Sequence, residues 1–407
     1  MSERKRRQGG YLFKKDGAWY LRYRDSVVID GIIERKQKCK RLAEVSDRYR
    51  TENDLRKAGL VEEILGPINA GRVSPESTLS LKDYGENSWL PWVRENCKPS
   101  TVAGYETRWY RYIAPRVAEI ALRDYRTVDA ANLLAEIHRV FNLSRSGLQH
   151  CRSMLSGIFS LARNQGVLDK PNPIQGVIIP RKANPGKETH AATAEEVLAI
   201  LDALEHAKVH DKETGEEIEF APVQRLKAQG AVALMFFGGL RPSEARGVQW
   251  QDFDGKRLIV RQSVWHTHRT DPKTPGSVKP VPVIEPLRVL LAELREADGN
   301  PADGPILRGP QGKPLLLDNV SKRIVTPLLK SAKLEWHGWY SLRRGVATTL
   351  RGLTHDSLAA KGLLRHSSVA TTERHYIKDV PENTLSAMNL LEALCNRSAT
   401  TSAGKEN

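Results

Sequence analysis

A few side chains in the C-terminal half are of types that handle charged oxygens and protons. Arg241 and Glu244 stand in Gly238-Gly239-Leu240-Arg241-Pro242-Ser243-Glu244, and Lys273 in Lys273-Thr274-Pro275-Gly276. Tyr340 and Arg343 follow in Trp339-Tyr340-Ser341-Leu342-Arg343-Arg344, His366 in Leu363-Leu364-Arg365-His366-Ser367-Ser368, and Tyr376 ends Thr371-Thr372-Glu373-Arg374-His375-Tyr376. A guanidinium keeps its charge at every physiological pH and can hold two oxygens of one anion. Histidine alone titrates near neutrality without perturbation. A phenol with an ordinary pKa of about 10 is only about one-thousandth ionised at pH 7 and needs help to act as a nucleophile. Taken singly, each has a plainer reading. Arg241 could cap a helix, His366 likewise, Lys273 could be a solvated turn lysine, and Tyr376 a half-buried core residue. Their succession within about 140 residues asks for one explanation.

The elements that must position them are legible in outline. Residues 231–237 are an apolar run entering the Gly238-Gly239 corner, which sets Arg241 at a sharp turn between two helices with Glu244 one turn on. Residues 257–265 and 278–284 read as the two strands of a hairpin, with Lys273 in the connection. Trp339 opens a helix on which Tyr340 and Arg343, three apart, share a side, while His337 is off that side. Upstream, Thr193 and Glu196 form a capping box that opens a new helix and a new domain. Ser144 caps a helix that buries Leu148, Leu155, Ile158, Phe159 and Ala162 and ends near Asn164-Gln165-Gly166. Ser100 caps another, whose apolar stripe is Tyr105, Trp109 and Tyr112, with Arg108 and Arg111 beside it. The polar stretch 206–229 has no assigned element. Beyond Pro381, Met388, Leu391 and Leu394 repeat at helical spacing, a face that would pack on its own domain or on a neighbour.

Charge points to the partner. The 407 residues carry 63 Lys+Arg against 48 Asp+Glu, a net charge of +15, and residues 1–41 hold +8 of it from 13 basic and 5 acidic side chains. A polyanionic partner follows. The N-terminal pattern is strand-like, with Asp16-Gly17 turning between two aromatic, alternating runs, and Arg35 to Arg41 able to supply a third strand. Arg22 and Arg24 share a face opposite Leu21 and Tyr23. Lys14, Lys15, Arg22, Arg24, Lys36, Lys38, Arg108 and Arg111 are the expected DNA contacts, as cations that neutralise phosphates. The plainer reading is a solvated sheet face. No apolar run reaches the roughly 18 residues of a membrane span. The charged start, 1–7, has no apolar run behind it, so no secretory leader is expected, and the four scattered cysteines suggest neither zinc nor disulfides. The expectation is a cytoplasmic, multidomain α+β chain. Its parts are a small β-sheet plus helix over 1–72, an all-α bundle over 78–180, a linker over 181–192, a mainly helical domain with a small hairpin over 193–395, and a polar tail over 396–407.

In order and spacing, these motifs resemble the tyrosine site-specific recombinases, the phage integrases. That family's pattern is an Arg in a G-L-R-x-S-E corner, a hairpin Lys, an H-x-x-R helix, a G-H-S-S element and a T-T-x-x-x-Y end; the likeness covers roughly residues 190–390. It implies catalysis by Arg241, Lys273, Tyr340, Arg343, His366 and Tyr376. The two arginines would grip the phosphate, His366 would serve as base or donor, Lys273 would protonate the departing 5′ oxygen, and Tyr376 would form a 3′-phosphotyrosine. The resemblance also implies core-site binding by the bundle, arm-site binding by the N-terminal sheet, a tetramer on double-stranded DNA, and an accessory bending or excision protein. It implies a bacterial cytoplasm and no metal or cofactor. Two positions depart from the pattern: Tyr340 stands where His is usual, and Arg365 where Gly is usual. Tyr376, not His375, is taken as the nucleophile, since a histidine could not form the same linkage. Alternatives are a DNA-binding relative that has lost catalysis, a chromosome-dimer resolvase, which would lack the N-terminal sheet, and a type IB topoisomerase, whose domain order fits less well.

Overall fold

Near the N-terminus the alternation resolves into three antiparallel strands in sequence order: β1 Tyr11–Lys15, β2 Ala18–Ile29 and β3 Ile32–Glu44. Asp16 and Gly17, with φ of 48° and 71°, make the tight connection from β1 to β2. Leu12, Trp19, Leu21 and Tyr23 are buried on one face, where Leu55, Val61 and Leu65 of helices Glu52–Lys57 and Leu60–Asn69 complete a small core. The computed structural model describes residues 7–365, apart from 30, 71–72, 118, 181–183, 185–187, 211–212, 271–277, 279 and 355. Lys273, His366, Tyr376 and the expected C-terminal helix lie outside the described residues. The chain forms two compact units, residues 1–187 and 188–407.

Within the first unit, the stretch between the sheet with its helices and the bundle is partly structured. Pro75–Thr78 forms a 3₁₀ turn with Ser77 buried, and Thr78 Oγ1 accepts a hydrogen bond from the Val28 amide at 3.1 Å. Asp25 on β2 is 3% exposed and is paired with Arg123 and, at 3.9 Å, with Lys38. The helices that follow bury Trp89, Trp109, Leu134, Leu148, Met154 and Phe159 in one core. One start differs from expectation. Helix Pro99–Arg108 has Lys98, not Ser100, at its N-cap, because Pro99 supplies the first helical φ and has no amide hydrogen to satisfy. It continues into a π turn, Trp109–Ile113, that buries Trp109 and leaves Tyr105 and Tyr112 at the rim of the core. Ser144 caps helix Arg145–Asn164 as its sequence suggests, and the expected face is buried.

The second unit opens on the Thr193–Glu196 capping box, with reciprocal bonds of 2.9 and 3.2 Å, at the start of helix Ala194–His206. The unassigned stretch 206–229 divides into paired two-residue strands, Val209–His210 and Glu217–Ile218, and the first turns of a long helix, Pro222–Phe236. This helix starts well before residue 231 because Pro222 and Gln224 begin it; its polar opening turns hide that start in the sequence. It is the hub of the unit. Residues 228–236 are all buried, packed against Ala194–His206, Glu285–Ala297 and Trp339–Thr354, so its pattern is apolar all round rather than one-sided. The single hairpin expected over 257–284 is instead two separate pairs. Arg257–Ile259 pairs with Pro280–Pro282, and Ser263–Trp265 with His268–Thr270. The chain reverses at His266, with φ of 49°, so the second half of the expected strand finds a local partner. Among the described residues no helix is long and apolar enough to cross a membrane.

Candidate active site

The hub helix ends at Phe236, and the chain turns through Gly238 and Gly239 (φ 58°) into buried Leu240. Arg241 is the N-cap of the short helix Pro242–Ala245, in extended conformation, and Glu244 is its third residue. That spacing lets the Glu244 carboxylate reach back twice. It accepts from the Arg241 amide at 2.8 Å through Oε2 and from the Arg241 guanidinium at 2.6 Å through Oε1. The corner therefore fixes the Arg241 side chain by the same carboxylate that caps the helix. Arg241 keeps 32% of its side chain exposed, whereas the Glu244 side chain is 10% exposed.

Two further arginines from distant positions converge on Glu244. Arg343 lies on the inner side of helix Trp339–Thr354 beside Leu342, Val346 and Ala347 and is fully buried. Its guanidinium donates to Gly239 O and, at 2.7 Å, to Leu364 O, and its Nη1 stands 3.6 Å from Glu244 Oε2. Leu364 ends helix Ser357–Leu364, so Arg343 places a positive charge on the last carbonyls of that helix, where the macrodipole favours one. Arg365 is the cap of the same helix. Its Nη2 donates to Glu244 Oε2 at 2.6 Å and its Nη1 to Leu363 O at 3.2 Å. Burial alone would raise the Glu244 pKa, but the guanidiniums of Arg365, Arg343 and Arg241 outweigh it and hold the carboxyl below the ordinary range. Burial also lowers the Arg365 guanidinium from its ordinary value, opposed by the Glu244 charge.

Arg365 supplies what sequence reasoning missed. Its backbone is left-handed (φ 54°, ψ 41°), the conformation in which helix caps favour glycine, and an arginine there costs about 1 kcal/mol. The usual glycine would serve the backbone better; the side chain is what the position uses. A second unforeseen arginine, Arg246, is 8% exposed and donates to the carbonyls of Leu315, Val264 and His266 at 2.7–3.0 Å, tying the corner to the strand pair. Neither carries a local sequence signal, because each is defined by partners far along the chain.

Tyr340 begins the helix one turn before Arg343 and is 46% exposed, in contrast to the fully buried arginine. His337 does not face the arginine cluster through any described bond; its ring stacks on His190 at 3.9 Å, and His190 in turn bonds Glu196 at 2.8 Å. The segment around His190 is fastened to the helix that carries Arg343. Arg344 donates to His190 O at 2.7 Å, and the Ala192 amide donates to Ser341 O at 3.1 Å. A concavity of about 1080 Å³ elsewhere in this unit is lined by Phe220, Val223, Leu316 and Ile324 and holds none of the expected catalytic residues.

The sheet register sorts the expected nucleic-acid contacts into two sets. Directly paired residues share a face. Arg22 pairs with Tyr11 and Cys39, Arg24 with Gln37, Ser26 with Arg35, and Tyr20 with Phe13 and Arg41. This outward face stacks Tyr11, Phe13 and Tyr20 in sequence, with Arg22 over the Phe13 ring at 5.0 Å. Lys36 and Lys38 pair with Asp25 and Tyr23 and so lie on the opposite, core-facing side, where each has a carboxylate neighbour: Glu34 at 3.4 Å and Asp25 at 3.9 Å. Lys14 lies over Trp19 on that same side, while Lys15 is exposed at the hairpin. In the bundle, Arg108 folds back on Gly104 O at 2.7 Å, and Arg111 is exposed over Tyr112.

No protein-family model matches the sequence, and no curated protein does. Solved structures do. The Tn1549 transposon integrase (residues 82–397), determined with circular-intermediate DNA, superposes with a TM-score of 0.61 at 17% identity, over 77% of this chain and 99% of that one. A lambda integrase dimer bound to a COC′ core site matches with a TM-score of 0.53 at 20% identity, over 94% of this chain and 99% of that one. A lambda integrase tetramer bound to a Holliday junction matches with a TM-score of 0.52 at 18% identity. The mixed helix and sheet architecture, including the small N-terminal sheet of three strands, is the tyrosine recombinase fold of the lambda and Tn1549 integrases.

Proposed function

We propose that this chain is a site-specific DNA recombinase that cleaves and rejoins strands through a 3′-phosphotyrosine, integrating and excising a phage or other mobile element. The observation that carries the reading is the convergence of Arg241 and Arg343, about 100 positions apart in the sequence, on one buried carboxylate. A phosphodiester is a poor electrophile because attack on it concentrates charge on its non-bridging oxygens. Two fixed guanidiniums answer that need, and each such donor is worth roughly 10²–10³ in rate. Arg241 is held by the Glu244 carboxylate and Arg343 by the carbonyls of Gly239 and Leu364, so little reorganisation remains for the reaction itself.

In the proposed reaction Tyr376 Oη attacks phosphorus and the bond from phosphorus to the 5′ oxygen breaks. His366 takes the phenolic proton and Lys273 gives one to the 5′ oxygen. Proton removal from Tyr376 is worth roughly 4 kcal/mol at pH 7, given an ordinary phenol pKa of about 10. A 5′ hydroxyl of another strand then attacks the phosphotyrosine and releases Tyr376, with the proton transfers reversed. Tyr340, half-exposed at the start of its helix, donates a hydrogen bond to a phosphate oxygen and takes no proton at neutral pH. The chemistry requires no metal or cofactor. Residues 193–395 carry it, 78–180 hold the core site, and the outward face of the N-terminal sheet holds arm-type DNA. Four copies assemble on two duplexes, as the lambda enzyme does on a Holliday junction, and an accessory protein biases excision.

A nicked suicide duplex made from the DNA flanking the gene tests this. Wild type should give an adduct stable to SDS, and Tyr376→Phe should bind the same duplex without one. An adduct that persists in Tyr376→Phe refutes the nucleophile. Binding without any adduct in wild type would instead mark a DNA-binding relative without catalysis.

A further inference from the structure

Glu244 has two oxygens and three guanidiniums around it, and the three do not share it equally. Oε1 belongs to Arg241 at 2.6 Å, and Oε2 belongs to Arg365 at 2.6 Å, which leaves Arg343 at 3.6 Å, beyond hydrogen-bond reach. Arg343 is instead held by the carbonyls of Gly239 and Leu364. Arg365 thus occupies the acceptor into which Arg343 would otherwise fall. It does so from a left-handed backbone position that favours glycine, with a residue exposure of 6%. Among the described residues, three guanidiniums against one carboxylate leave a net charge of +2, with Arg343 and Arg365 buried and Arg241 partly exposed. Such a cluster is stable only if each charge is fixed by bonds of its own or by an anion that arrives.

We propose that Arg365 is a positioning residue for phosphoryl transfer. By saturating Glu244 Oε2 it keeps Arg343, 3.6 Å from that oxygen, from closing to hydrogen-bond distance, and so keeps the Arg343 charge directed at the scissile phosphate. This rests on the recombinase reading given above. Arg365 touches no reacting atom in this scheme. It acts on Arg343 through Glu244, and the surplus positive charge of the cluster is what a phosphate in transition, gaining negative charge, would neutralise.

The test uses the full-length chain and a nicked suicide duplex whose site wild type itself selects from the DNA flanking its gene. Arg365→Gly removes the guanidinium and suits the left-handed backbone, so its thermal melt should stay close to wild type. Its adduct should form about 10²-fold more slowly, the loss expected when a catalytic group shifts by about 1 Å. Its DNA affinity should stay within about twofold of wild type, since Arg365 is only 6% exposed. The diagnostic variant is Arg365→Gly combined with Glu244→Gln. With the Glu244 charge removed, the double variant should regain at least about a third of the lost decades, a coupling that a merely structural arginine would not give. Arg365→Lys should fall between wild type and Arg365→Gly, because it keeps the charge but not the fork. Wild-type rate in Arg365→Gly overturns the proposal alone, as does a double variant slower than the single one. An Arg365→Gly chain that melts early would move the comparison to Arg365→Lys, and a wild-type rate there likewise overturns the proposal. No adduct in wild type overturns the recombinase reading and the proposal together.

Discussion

Replacing Gly345 by alanine sets two opposed terms against each other, and the structure decides which wins. Gly345 lies in helix Trp339–Thr354, two residues after Arg343. In an open helix the change would gain about 0.8–1.0 kcal/mol of helix propensity. Here a Cβ would land on the carbonyl oxygen of Ala192, with the Ala192 carbonyl carbon at 2.9 Å and its amide nitrogen at 3.1 Å. That backbone cannot swing aside like a side-chain tip, because Ala192 is 3% exposed and its amide is bonded to Ser341 O. Bringing the carbon alone to ordinary contact at 3.4 Å requires a retreat of half an ångström, and the oxygen needs more. Overpacking of this kind costs about 1–3 kcal/mol, so the net effect should be destabilising by about 1 kcal/mol. For a unit of this size that lowers Tm by roughly 2–4 °C. Because the displaced helix carries Arg343, adduct formation should slow by about tenfold or more. Gly352 on the same helix is the matched control: it is exposed and a Cβ there meets nothing within 4 Å. Gly352→Ala should stabilise by about 0.5 kcal/mol in its last-turn position, raising Tm by roughly 1–2 °C, and leave the rate unchanged. Two melts and two cleavage time courses suffice. If Gly345→Ala melts as high as Gly352→Ala and cleaves at the wild-type rate, the close approach to Ala192 is not a constraint and the reasoning fails.

Two other outcomes can be measured without the cognate site. Arg22→Ala with Arg24→Ala, on the outward face of the N-terminal sheet, should flatten the plot of log binding constant against log salt by about 2 on duplex DNA, one unit per lost phosphate contact; Lys36→Ala, on the opposite face beside Glu34, should leave the slope as it was. Tyr84 is pushed by burial from 10.0 up to about 12, and its hydroxyl donates to Gln165 at 2.6 Å. An unfolded Tyr84 ionises at pH 10 and the folded one does not, so the unfolded state binds fewer protons above that pH. This contribution to stability is complete below pH 10 and declines from 10 toward 12. Tyr84→Phe should be weaker at pH 7 by about 1 kcal/mol for the lost hydrogen bond, yet lose less between pH 10 and 12, so that the two stability curves converge. Curves that stay parallel across that window would contradict the assignment.

How far the chain could be read depended on the reach of each signal. Asp16-Gly17, Ser144 and the Thr193–Glu196 box are satisfied by neighbours within a few residues, and each stands where its sequence indicates. The start of helix Pro222–Phe236 escaped because its first turns are polar and its apolar turns are buried on every side, which erases the one-sided pattern that marks most helices. The expected long hairpin split because pairing partners are chosen in three dimensions, and the reversal at His266 offered a nearer one. Within the site, Arg241 and Arg343 were read as partners, and both stand beside Glu244, a carboxylate that was read only as following Arg241 by one turn. Arg365 could not be understood from its neighbours. Its meaning lies in a carboxylate 121 positions earlier and in a backbone angle, and neither is written near it in the chain.

The most direct measurement of the central claim is the chemical identity of the covalent link. Wild-type protein trapped on a nicked duplex, digested with protease and nuclease, should yield one nucleotide-bearing peptide in the mass spectrum. Fragmentation should place a 3′-linked nucleotide on the phenol of Tyr376. A nucleotide on any other residue, or on the 5′ side of the break, would contradict it.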